Sequence, residues 1–179
     1  MARVGGFFAL LTVALISGCA AVSSVGPIGD GPKEISQNEW GGTWVNKGHS
    51  ITIKVSDEQN GLLQVAWVEE KEAVLKLESY QAAIRESGEW IFGNVKKKED
   101  SPFHYWALIK KDAGQISVWA PDPAQFRKLV QTGNLRGKVE GYNTMLEKLT
   151  LDDLKGIPSG DKGACFEWQN PIVFFRLGK

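Results

Sequence analysis

The chain has 179 residues, 21 basic and 21 acidic side chains and a formal net charge of zero. A nucleic-acid binder neutralises phosphates with a basic surface, so this balance argues against nucleic acid as a partner. The length suits one domain with a real core, and two cysteines leave room for one disulfide at most.

Residues 1–3 form a short positive head, residues 4–16 an uncharged apolar run, and small residues follow. That is the layout of a secretory signal peptide. A spanning helix needs roughly 18 to 25 mainly apolar residues. This segment is broken by Gly5-Gly6, Ser17-Gly18 and Ser23-Ser24, which argues against an uncleaved transmembrane helix. The run ends in Ile16-Ser17-Gly18-Cys19, which resembles the lipobox of bacterial lipoproteins. The resemblance implies cleavage after residue 18, a diacylglycerol on the Cys19 sulfur and acylation of its new amino group. Ala20 after the cysteine implies, by the same resemblance, the periplasmic face of the outer membrane. Residues 1–18 are therefore expected to be the signal peptide. Residues 19–38, with Gly26-Pro27, Gly29 and Gly31-Pro32, are expected to be the lipidated cysteine and a flexible tether, and residues 39–179 a single β domain. With Cys19 acylated, Cys165 has no partner for an internal disulfide and reads as a buried small hydrophobe.

From Trp40 onward, short apolar alternations are separated by turn residues. Ile51, Ile53 and Val55 alternate with Ser50, Thr52 and Lys54, a period of two that defines a half-buried strand. Asn60-Gly61 suits a tight turn, and Leu63, Val65 and Trp67 complete a hairpin. Residues 73–84 have strand alternation in Leu75 and Leu77 and helix formers around Ala82-Ala83; strand is the reading that fits the neighbouring meander. Ser87-Gly88 turns into a strand at 90–95, and residues 96–102 form a charged, solvated loop. Residues 103–110 and 116–120 pair around Asp112-Ala113-Gly114. Asp122-Pro123 opens a helix whose stripe is Phe126, Leu129 and Val130, and Gly133-Asn134 ends it. Residues 135–148 give no firm signal, and Thr150 with Asp153 resembles a weak cap before a short turn. Pro171 then opens a last strand at 172–177.

Seven strands in succession, a helix and one final strand predict a mainly β fold: an antiparallel up-and-down meander of about eight strands that closes into a barrel. The alternative is a half-open sheet wrapped on the helix. Gly42-Thr43-Trp44 on the first strand and the late helix resemble the lipocalin-like (calycin) barrels, with their glycine-x-tryptophan pattern. That resemblance makes Arg176 the candidate for a late arginine stacked on Trp44.

Catalytic signatures are missing from the sequence. His49 and His104 have no metal-ligand spacing, and neighbouring acids such as Glu69-Glu70 and Asp152-Asp153 point to opposite faces or into solvent. No glycine-rich phosphate loop or nucleophile motif occurs, so neither enzyme activity, metal nor cofactor is expected. Seven tryptophans are the richer signal. Trp106 and Trp119 alternate out of phase with the other apolar residues of their hairpin, leaving an apolar face in want of a partner, and they are the candidate ligand-binding residues. The expected function is a non-catalytic envelope lipoprotein, membrane-bound through acylated Cys19, that takes up a hydrophobic small molecule or lipid. The alternative is an accessory subunit that binds an envelope protein; an enzyme acting on lipid or cell wall ranks third.

Overall fold

The computed structural model describes residues 20–47, 49–71, 74–96, 100–149, 153, 166 and 168–178. Cys19, Cys165 and Thr150 lie outside the described residues. The expected hairpins form as β3 (Gly42–Asn46), β4 (His49–Asp57), β5 (Leu62–Lys71), β6 (Val74–Ser87), β7 (Trp90–Lys96), β8 (Phe103–Asp112) and β9 (Gln115–Trp119). Each pairs antiparallel with the next. The last strand, β12 (Ile172–Arg176), inserts between β9 and β3, antiparallel to both. This closes an eight-stranded up-and-down barrel, the lipocalin-like architecture expected, and removes the edges of an open sheet.

Alternation assigns each strand an inner and an outer set. Ile51 and Ile53, Leu63 and Trp67, Ala82 and Ile84, Ile116 and Phe174 pack inside. β7 and β8 carry large apolar residues on their outer face as well. Phe92, Trp106 and Leu108 join a second core with Phe126 of α2 (Pro123–Gln131) on the barrel's flank. Helix α2 starts as its sequence dictates, with the Asp122 carboxylate accepting from the Ala124 and Gln125 amides. Between the strands β4 and β5, the Asp57 carboxylate accepts from the backbone and side-chain nitrogens of Asn60, which holds its pKa below the usual carboxylate value. Gly61 has φ +65° and lies so close to the carbonyls of Ile84 and Lys33 that an added Cβ would clash at 2.5 and 2.6 Å.

Two regions depart from expectation. The segment read as a tether is part of the fold. β1 (Val22–Val25) pairs antiparallel with the start of β8, and β2 (Gly31–Pro32) with the end of β6. Glycine, proline and serine signal loops because they lack large side chains, but here the backbone itself does the binding. Asp30 and Lys33 amides donate to the Glu86 and Ile84 carbonyls at 2.8 and 3.0 Å, and Ala21, Val22 and Ile28 are buried. The stretch without signal, 135–148, holds a small hairpin of β10 (Gly137–Glu140) and β11 (Asn143–Leu146). β11 runs parallel to β1 and extends the sheet beyond β8. Four-residue strands with a remote parallel partner carry too few alternations to be read locally.

Asn94 fastens the N-terminal segment to the barrel wall. Its Oδ1 accepts from the Ile28 amide at 2.6 Å, and its Nδ2 donates to the Ile28 carbonyl at 3.0 Å and the Ala83 carbonyl at 3.4 Å. Asn94 is fully buried, so Asn94→Ala strands two backbone groups away from water. We expect a loss of about 1–3 kcal/mol in denaturant unfolding, larger than for Asn60→Ala at the exposed turn.

Candidate functional site

The interior of the barrel is not filled. A cavity of about 150 Å3 lies along its axis, lined from every barrel strand but β3 and from α1 (Gln37–Trp40). Its walls are hydrocarbon and aromatic, and the polar atoms among them are the Tyr80 and Tyr105 hydroxyls and the indole nitrogens of Trp40 and Trp67.

One end of the cavity is stoppered. Ser36 caps α1 by accepting from the Glu39 amide, and the helix turns Trp40 into the barrel, where it is buried. Trp44 lies beneath it with no exposed surface, and its Nε1 donates to the Trp40 carbonyl at 3.0 Å. Arg176 reaches across from β12, donates to the Gly41 carbonyl at 2.6 Å and places its guanidinium 5.4 Å from the Trp44 ring centroid. The tryptophan–arginine stack implied by the glycine-x-tryptophan pattern is thus present. Gly42 has φ +116°, which explains a glycine two residues before the tryptophan. Lys111 stands 5.3 Å from the same ring. Burial, together with the charge of Arg176, lowers its pKa below the usual lysine value, against the pull of Glu39 and Asp112. With its indole fully buried beneath this stopper, Trp44→Ala is expected to cost about 3–5 kcal/mol in unfolding free energy.

At the opposite end stand Trp67, Tyr80 and Tyr105, and no helix crosses the axis there among the described residues. Tyr80 donates to the Glu78 carboxylate. Burial raises the Tyr105 pKa, which keeps that hydroxyl neutral. His49 lies next to this end with its ring 5.5 Å from that of Trp67.

The residues singled out from the sequence lie elsewhere. Trp106 is buried on the outer face of the barrel, edge-on to Phe126 at 5.4 Å, to Phe166 at 5.9 Å and to Phe92 at 6.2 Å. Trp119 lies 5.7 Å from Trp168 in the same flank cluster. The apolar face that lacked a partner in the sequence is covered by α2, β1 and β11, and neither tryptophan lines the cavity. The cavity residues were legible only as inward-facing strand positions, because a hollow and a filled barrel share the same alternation. Ala82, Gly93 and Ala107 are the small residues of the cavity wall, and Gly93 makes room for the Ile109 side chain.

His104 is on the outer side of β8, opposite Lys96 in the register with β7. Burial, then the Lys96 charge, lowers its pKa below 6.5, and a backbone hydrogen bond at Pro102 opposes them. The folded state therefore resists a proton that the unfolded chain accepts. Stability is complete above about pH 6.5 and falls as the pH drops toward the lower folded value. His104→Gln is expected to lose less stability than the wild type between about pH 7.5 and about pH 5, as read from urea midpoints. Among the described residues, no three His, Cys, Asp or Glu side chains gather in a metal-binding group.

Fold and site together define an antiparallel β-barrel with a hollow apolar interior, closed at one end. No protein-family model, curated protein or solved structure matches the chain.

Proposed function

We propose that the barrel takes an apolar small molecule, or the acyl part of a lipid, into its interior, and that the chain acts without catalysis at the bacterial envelope, anchored through Cys19. The cavity carries this reading. Water entering a void walled mainly by hydrocarbon finds few hydrogen-bond partners, so a space of about 150 Å3 favours an apolar guest. Drug-sized ligands occupy about 300–1,000 Å3. The guest is accordingly slender: a single ring or one unbranched acyl chain, entering past Tyr80 and Tyr105.

The anchor rests on the lipobox-like run ending in Cys19. Each buried methylene adds about 0.8 kcal/mol, and two or more chains hold durably where one is marginal. Ala21 is already buried, and its carbonyl accepts from the Thr144 amide at 2.8 Å. Ala20 alone would then separate the acylated residue from the folded body, and the domain would rest on the bilayer without a tether. An accessory-subunit role is the second reading. It is favoured by the apolar side chains exposed on the β5–β6 hairpin.

Trp40 and Trp67 report directly on the cavity. Titrating medium-chain fatty acids should shift tryptophan fluorescence saturably, and Ala107→Leu, which fills the void, should weaken binding at least about tenfold while the protein stays folded. No spectral change with any apolar guest, or undiminished affinity in Ala107→Leu, would remove the proposal. Labelling cells with a radioactive fatty acid should mark the wild type but not Cys19→Ala; equal labelling of both would discard the anchor.

A further inference from the structure

The hairpin of β5 and β6 outruns the barrel. β5 covers one side of β6 from Val74 to Ala83, but pairing with β7 on the other side begins only at Ala82 opposite Val95. Among the described residues, no strand pairs with that side of β6 over residues 74–81. The same stretch exposes Leu75 at 73%, Leu77 at 72% and Val74 at 60%. A long, exposed, apolar edge is a template for another strand.

We propose that this edge is the interface for a second copy of the chain, added antiparallel with Leu77 of one copy opposite Leu77 of the other. The sequence of the edge singles out the register. An antiparallel pair of identical strands has its twofold axis normal to the sheet, so the residue on the axis faces itself and every pair keeps both side chains on one face. Centring on residue 76 sets Lys76 against Lys76, and centring on residue 78 sets Glu78 against Glu78. Each puts like charges directly opposite. Centring on Leu77 places Lys76 opposite Glu78 of the second copy, twice by symmetry. It also sets Val74 against Tyr80 on that face, and Leu77 against Leu77 on the other. Among the described residues Glu78 takes the Tyr80 hydroxyl, which leaves a carboxylate acceptor capacity for a lysine. Leu77 is buried against its copy, and the outward backbone groups of residues 74–80 gain partners in a four-stranded ribbon.

The full chain, purified in mild detergent, should sediment as a concentration-dependent dimer. Lys76→Glu and Glu78→Lys should each raise the dissociation constant at least about tenfold, and the double exchange should restore it, because only a reciprocal pair is repaired by swapping both charges. Oxidised Leu77→Cys should crosslink, since facing Cβ atoms lie about 4.5–5.5 Å apart. Leu75→Cys, carrying the same native cysteines, should not, because its copies are offset by four residues, about 13 Å. A monomer up to about 0.1 mM, equal crosslinking at both positions, or a double exchange that fails to recover the dimer would overturn the proposal. All these positions are on the exposed arm, so circular dichroism should confirm an intact fold throughout.

Discussion

The barrel depends on one late pairing. β12 enters between β3 and β9 after an excursion of some fifty residues, and without it the seven-stranded meander would keep two open edges. The seam is reinforced beyond its ladder. Asn46 donates from its side chain to the Val173 carbonyl at 2.5 Å, the Arg176 amide to the Gly114 carbonyl at 3.0 Å and the Leu177 amide to the Thr43 carbonyl at 2.9 Å. Phe174 packs into the core, and Arg176 stacks on Trp44. One five-residue strand therefore closes the sheet, walls the cavity and locks its stopper.

β8 is the second organiser, because it is buried on both faces. Tyr105, Ala107 and Ile109 face the cavity, whereas Trp106 and Leu108 face the flank core. Its free side is shared: β1 pairs with residues 103–105 and β9 with residues 108–112. The excursion between β9 and β12 returns along this fork, so its helix and small hairpin bury the outer tryptophans instead of standing in solvent. Seven tryptophans in a chain of this size are thus divided between two jobs. Trp40, Trp44 and Trp67 shape the interior, while Trp90, Trp106, Trp119 and Trp168 build the flank.

Much of this was legible in the residues. Ile51, Ile53 and Val55 announce a strand because solvent on one face forces polar residues between apolar ones. Asp122-Pro123 announces a helix because its chemistry meets the needs of a helix start. Even the ambiguous residues 74–84 resolve as strand, since antiparallel neighbours outweigh the helix propensity of two alanines. The candidate site was less legible. Trp106 and Trp119 were conspicuous because local alternation cannot show that residues 120–146 fold back to cover them. The 20–36 segment hid its role for the same reason: most of its bonds run from backbone to strands more than fifty residues away. The small residues Ala82, Gly93 and Ala107 share one wall of the interior through the pairing of β6, β7 and β8, which is a property of sheet register and not of any one strand.

Uptake of an apolar guest requires that the barrel be hollow and dry. Diffraction from crystals pressurised with xenon addresses this most directly, because xenon enters apolar voids of about this size without needing a specific contact. A xenon site inside the barrel among Trp67, Ala82, Ala107 and Phe174 is the predicted result. An interior filled by side chains with no xenon, or one occupied by ordered water, would contradict it.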